Sequence, residues 1–351
     1  MKKLLSLVLA ILMVLSLASC AERSVQEEPE LPQEPEITEP VEEIEENVNT
    51  YPMTLTDQAG RTVTLEAEPE KLVSGYYIST SALIALGVKD QLVGIEAKAA
   101  QRPIYTLSAP ELIGLPNVGT AKEFDLEGCL ALEPDLVILP LKLKSVVETL
   151  EEFGITVLLV NPETQESLEE MVTLLGDATN TSERAKELLD FIDSQETVLK
   201  TIAAETPTVY MAGNSSLLST AGTGMYQSDM IELAGGKNAA AEITDDYWVD
   251  ISYEQLLAWD PEYILLASDA SYSVEDVLSD PNLAGLSAIV NGKVYQMPDK
   301  AEAWDSPVPS GILGSVWLAS VLHGEDISEE QRDTVIDEFY ETFYGFTYSE
   351  K

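Results

Sequence analysis

The sequence predicts an α/β protein of two related lobes, each with a largely parallel sheet, joined by one long helix. Three observations carry this. Short apolar runs alternate with helical segments in both halves of the chain, the order that produces parallel sheets. The stretch EGCLALEPDLVI at 127–138 returns as EQLLAWDPEYIL at 254–265, with Glu127 and Glu254, Leu130 and Leu257, Ala131 and Ala258, and Pro134 and Pro261 paired at one constant shift (254 − 127 = 261 − 134 = 127). Between the halves, Asn180-Thr181-Ser182-Glu183 offers a helix cap with Glu three residues on, followed by Ala185, Leu188, Leu189, Ile192, Leu199 and Ile202 at helical spacing. A helix over about 181–203 would span roughly 33 Å at 1.5 Å per residue.

The chain opens with an address. Lys2 and Lys3 precede an apolar run from Leu4 to Leu15, broken only by Ser6, and Leu17-Ala18-Ser19-Cys20 follows. A basic start, a short apolar core and a small-residue cleavage site make residues 1–20 an export signal, too short for a comfortable membrane span. Leu, small, small, Cys resembles the lipobox of bacterial lipoproteins, which implies that Cys20 is acylated and anchors the mature chain to the cell membrane. Residues 21–50 contain 11 Glu, one Arg and four Pro and no Trp, Phe or Tyr. Such a segment buries too little apolar surface to fold and extends by self-repulsion, so it reads as an acidic tether. It carries −11 + 1 = −10 of the formal charge of −43. The remainder is still acidic, which argues against nucleic acid or an anionic membrane surface as partner. Cys129 is then the one cysteine left, so no internal disulfide forms, and its neighbours Leu126, Leu130 and Leu132 make it a small buried residue.

The remaining 300 or so residues exceed what one core usually holds, so size alone points to two lobes. We place the first over 51–162, a linking helical segment over 163–204 and the second lobe over 205–351. In the first, strands are expected at 71–74, 92–95, 136–139 and 156–160, with helices at 79–86, 126–132 and near 145–153. Gly87 closes the first of these helices as a C-terminal cap. The second lobe repeats the order, with strands at 208–212, 263–266 and 292–296 and helices at 224–233 and 253–258.

In open α/β sheets, ligands sit at the carboxyl ends of strands, where loops enter helices. That rule selects Tyr76, Tyr77 and Ser79, then Thr120 and Lys122, in the first lobe. In the second it selects Asn214-Ser215, Thr223, Tyr226, Ser268-Asp269, Tyr272, Trp304, Asp305 and Ser306, with Tyr247 and Trp248 added by symmetry with Lys122. Seven aromatics fall on these loops, and broad aromatic faces suit a large flat or apolar chelate. Tyr oxygens can also ligate ferric iron. Basic residues near the loops are few, chiefly Lys122 and Arg102. Helix-start amides at Ser79, Thr120, Thr223 and Ser306 would supply the rest of the charge an anion needs.

The lipobox, KLVSGYYISTSALIALGV, EPDLVI, MYQSDMIELAGGKNAA, VDISYEQLLAWDPEYILL and NGKVYQMP together resemble the ABC-importer substrate-binding proteins that carry ferric siderophores, haem and cobalamin. The resemblance runs from about residue 53 to 323. It implies a ligand cleft between the lobes, an extracytoplasmic monomer lipid-anchored to the bacterial cell membrane, and delivery to a permease dimer driven by a separate ATPase. Glu127 and Glu254 match the acidic positions that such lobes present to the permease. The implied cargo is an iron chelate of siderophore type, with haem, corrinoid or a molybdate-type oxyanion as alternatives, and no resident cofactor.

Bare metal ions fit poorly. The chain has one histidine, His323, at a helix end, whereas zinc or manganese carriers need several His and carboxylate ligands. Gly-x-Ser-x-Gly, the phosphate loop, His-Glu-x-x-His and Cys-x-x-Cys are all missing from the sequence. That points away from an enzyme and leaves a carboxylate-dependent surface hydrolase as the rival.

Overall fold

The computed structural model describes residues 49–202, 206–245 and 247–351, all within one compact unit, Asn47–Lys351. The export signal, Cys20 and nearly all of the tether lie outside the described residues.

The described chain opens with a hairpin of β1 (Met53–Thr56) and β2 (Thr62–Leu65). Then come β3 (Leu72–Ser74), α1 (Tyr77–Ala85), β4 (Leu92–Ile95), α2 (Pro103–Ser108), α3 (Leu126–Ala131), β5 (Leu136–Pro140), α4 (Val147–Glu152) and β6 (Thr156–Val160). The first sheet has the order β4-β3-β5-β6, every pair parallel. All five residues of β5 are buried, as expected of a central strand covered on both faces.

The linking segment holds two helices rather than one. α5 (Gln165–Ala178) precedes α6 (Ser182–Leu199), and both lie within 163–204. α5 starts on a reciprocal cap, in which the Thr164 side chain accepts from Ser167 N and Ser167 Oγ accepts from Thr164 N. Its buried face is Leu168, Met171, Val172, Leu175 and Ala178. Gly176 lets it lie close to α6, because a Cβ there would sit 2.5 Å from the Ala185 Cβ. α6 has 18 residues, so it spans about 27 Å and is shorter than the sequence suggested. Near its start Arg184 Nε donates to the Ala85 carbonyl at the end of α1. Its far end, at Glu196 and Leu199, lines a surface hollow with Asp229 and Leu233 of the second lobe. The helix therefore does run from one lobe to the other.

The second lobe contains β7 (Thr208–Ala212), β8 (Ser219–Thr220), α7 (Tyr226–Leu233), β9 (Lys237–Asn238), β10 (Val249–Asp250), α8 (Tyr253–Trp259) and β11 (Tyr263–Leu266). It continues through α9 (Val274–Leu278), α10 (Ser287–Val290), β12 (Val294–Gln296), α11 (Ile312–Leu322) and α12 (Glu329–Tyr344). Its parallel strands run β9-β7-β11-β12, and β8 and β10 add an antiparallel edge. The strands at 156–160, 208–212 and 263–266 fall on the residues expected from sequence.

The apolar core is shared. One continuous cluster runs from Val63 to Phe346 and takes in α1, α5, α6, α11 and α12. Separate clusters cover the outer face of each sheet, one around Val137, Leu139 and Val157 and one around Tyr210, Ile264 and Leu266. α12 ties the lobes a second time, with Tyr344 Oη 2.9 Å from Ser81 Oγ of α1.

Candidate ligand-binding cleft

The carboxyl ends of both parallel sheets open onto one cleft of about 700 Å³ between the lobes. Its first wall follows β3, β4 and β5. After β3 the chain passes through Tyr76, the extended N-cap of α1, to Tyr77, and the two rings pack edge to face with centroids 5.4 Å apart. After β4 it passes Lys98, whose φ of 73° is left-handed although it is not glycine, and reaches Arg102. After β5 comes Lys142.

Arg102 is held from two sides. Its guanidinium carbon lies 4.0 Å from the Tyr77 ring centroid, and its Nε is 3.3 Å from Glu96 Oε1. Glu96 is buried and accepts from Thr80 Oγ1 and Tyr105 Oη, each at 2.7 Å. A carboxylate satisfied by two neutral donors beside a cation is a stable anchor in a low-dielectric wall. Lys98 and Lys142 form no ion pair among the described residues.

The second wall carries the opposite charge. Asp269, Asp299, Glu302 and Asp305 line it. Asp305 accepts from Ser268 N at 3.0 Å and Ser268 Oγ at 2.7 Å, and Glu302 accepts from Ser310 Oγ at 2.6 Å. Both carboxyls are buried, and desolvation pushes both above the usual carboxylate range. Asp269 and Asp299 are exposed. The exception to this polarity is Glu163, which follows β6 on the first lobe. Burial pushes the phenols of Tyr76, Tyr77 and Tyr226 upward. They present rings and neutral hydroxyls rather than phenolate.

Of the residues selected from sequence, Tyr76, Tyr77, Tyr226, Trp248 and Asp305 meet at the cleft, with Arg102, Asn214, Ser268, Asp269 and Ser306. Trp248 is admitted by Gly213, where a Cβ would stand 2.9 Å from the indole. Eight selected residues, Ser215 among them, do not line it. Ser79 is fully buried, its hydroxyl shared with Ser74 Oγ and the Tyr76 carbonyl. Thr120 spends its hydroxyl on the amides of Lys122 and Glu123, closing a turn that leaves Lys122 exposed at its tip. Thr223 donates to the Ile243 carbonyl. Tyr272 Oη donates to the Gly213 carbonyl at 2.7 Å, which turns the ring away. Trp304 is only 1% exposed. Its Nε1 donates to Tyr340 Oη at 2.8 Å and its ring packs on Tyr348, so it belongs to the core. Tyr247 is 63% exposed, with Lys142 Nζ 5.4 Å from its ring centroid.

The selection missed Glu96, Lys98, Lys142 and Gln227. The strand-end rule, extended to β4 and β5, reaches both lysines. Glu96 and Gln227 act through burial and partners, which carry no sequence signature.

The two echoed segments share their local structure. Glu127 and Glu254 are exposed in the first turns of α3 and α8. Each helix is capped from the side chain just before it, by Asp125 accepting from Gly128 N and by Ser252 accepting from Gln255 N. After each helix an acidic residue takes a left-handed φ, 49° at Glu133 and 43° at Asp260, again 127 apart (260 − 133 = 127).

A family model described as periplasmic binding protein matches residues 72–301. The molybdate-binding protein MolA of Haemophilus influenzae is 26% identical over 323 residues, covering 84% of this chain and 91% of the relative. An uncharacterized ABC transporter substrate-binding lipoprotein of Bacillus subtilis, YvrC, is 24% identical over 269 residues, covering 72% and 81%. The structure of MolA bound to molybdate has a TM-score of 0.73 at 25% identity and covers 84% of this chain and 99% of that one. Among the described residues no helix is long and apolar enough to cross a membrane, and no group of three or more His, Cys, Asp or Glu is placed to hold a metal ion.

Proposed function

The chain belongs to the periplasmic binding protein family and is the extracytoplasmic substrate-binding component of an ABC importer, and from that premise we propose that its cargo is a preformed ferric chelate of siderophore type. The observation that carries this reading is the cleft itself. Its volume of about 700 Å³ falls within the roughly 300–1,000 Å³ of sites that enclose drug-sized ligands, and its walls combine the rings of Tyr76, Tyr77, Tyr226 and Trp248 with the anchored cation of Arg102. In this reading the iron arrives already wrapped in its own anionic oxygens, and Tyr76 and Tyr226, whose phenols burial pushes upward, meet the chelate as rings and neutral hydroxyls. Arg102 then donates to those oxygens, and the rings cover the ligand's apolar edge.

Acylated Cys20 would hold the protein at the membrane, with the acidic tether keeping the lobes off its surface. Glu127 and Glu254 would seat the two lobes on the two halves of a permease. A second reading, molybdate, is favoured by the similarity to MolA and by the three cations Lys98, Arg102 and Lys142 on one wall.

A thermal-shift screen of the full chain against ferric hydroxamate and ferric citrate chelates, haem, a corrinoid and molybdate decides between them, since a ligand bound only by the folded state raises its melting temperature. A ferric chelate is expected to give the largest shift, reduced in Arg102→Ala. A shift with molybdate alone moves the cargo to the second reading, and no shift with any ferric chelate removes the first.

A further inference from the structure

Gln227, the second residue of α7, lines the cleft but is only 8% exposed. Chemistry fixes the orientation of its amide. Nε2 donates to the main-chain carbonyl of Asp305 at 2.7 Å, and a carbonyl can only accept, so the nitrogen must face it. Oε1 is then left buried with no hydrogen-bond partner among the described residues. Buried polar atoms are nearly always satisfied, and an orphan carries the full desolvation cost of its group. An orphaned acceptor in a residue that lines a binding cleft points to a donor that arrives with the ligand.

The opposite wall has the complementary need. Arg102 Nε is also buried without a hydrogen-bond partner, since Glu96 lies near it but out of line. The first lobe thus offers donors, and Gln227 on the second offers an acceptor. The Asp305 carboxylate does not compete for that role, because the Ser268 amide and hydroxyl already donate to it.

We infer that Gln227 is a specificity-determining residue, which requires the cargo to present an N–H or O–H donor to the second lobe while its anionic oxygens face Arg102. This rests on the cargo sitting in the interlobe cleft as proposed above. An organic chelate bearing amide or hydroxyl groups meets both demands. Molybdate, fully deprotonated near neutral pH, meets only the second and leaves Oε1 orphaned.

The test is calorimetry on the full chain with three probes. These are a ferric cyclic-peptide trihydroxamate with free backbone N–H groups, the same chelate with those nitrogens methylated, and molybdate. The parent chain is expected to prefer the free chelate over the methylated one by roughly 5- to 100-fold, the range set by an unmet buried hydrogen bond. Gln227→Met is expected to lose that preference, binding both chelates about equally, with its affinity for molybdate unchanged. If melting shows Gln227→Met to be unfolded, the methylated chelate on the parent chain decides alone. A parent that binds both chelates equally, or a folded Gln227→Met that keeps the preference, overturns the inference and leaves chelate binding intact. A parent that binds neither chelate overturns this inference, and removes the proposed cargo as well if no other ferric chelate raises its melting temperature.

Discussion

The first lobe orders its parallel strands β4-β3-β5-β6 and the second β9-β7-β11-β12, yet the loops beyond those strands carry opposite charge. One lobe contributes Lys98, Arg102 and Lys142 to the cleft, and the other Asp269, Asp299, Glu302 and Asp305. The outer helices do the reverse and agree closely, since α3 and α8 share a side-chain cap, a first-turn glutamate and a left-handed acidic residue at the end. The lobes therefore keep the surface that would meet a permease of two-fold symmetry and diverge on the surface that would meet the cargo. Loops on a fixed scaffold are where such divergence is cheapest.

The comparison breaks most visibly at the outer glutamates. Reversing both, Glu127→Lys with Glu254→Lys, should abolish uptake in a reconstituted transport assay while the affinity for cargo stays unchanged. Intact uptake would reduce the echo to a folding motif. The next largest effect concerns the core beneath the second wall. Trp304→Ala should cost about 3–5 kcal/mol of stability as an emptied aromatic site, read as a lower denaturation midpoint, with ligand affinity retained below the transition. A selective loss of affinity without a change in midpoint would return Trp304 to the cleft.

Smaller effects sharpen the equivalence of the two helices. Asp125→Ala and Ser252→Ala each remove an N-cap and should each cost about 1 kcal/mol. Unequal costs in chemical denaturation would show that only one of the echoed helices depends on its cap. The smallest effect is a pH slope. Burial raises Glu302 above the ordinary carboxyl value, so the folded state holds that proton more tightly than the unfolded one. Its contribution is full below the unfolded value and is lost as pH rises through the raised one. Glu302→Gln should therefore melt higher than the parent at pH 7.5 and level with it near pH 4.

Much of the fold was legible because strands buried on both faces read as short apolar runs. LVILP and TVLLV announce themselves, and the echo at 127 residues ties the lobes together in the sequence itself. α5 escaped because its cap pairs Thr164 with Ser167 rather than with Glu or Gln, which hides the usual start signal. The site was legible as loops but not as side chains. The strand-end rule led to 304–306, where Asp305 and Ser306 line the cleft and Trp304 beside them turns into the core. Which way a loop residue faces depends on partners far along the chain, such as Tyr340 for Trp304, and no local pattern encodes that choice.

The bond between Ser81 and Tyr344 joins residues 263 apart in the chain. A protein that leaves the cell threads outward from its amino end, so the first lobe emerges with the inner face of α1 uncovered. Ile78, Ala82 and Leu83 of that face belong to the same buried cluster as Phe339, Tyr340 and Phe343 of α12, which follow far later in the chain. Final packing of the first lobe thus waits for α12. A chain cut short before α12 would stay open at this seam, and its first lobe would be an easier substrate for proteases than the whole protein.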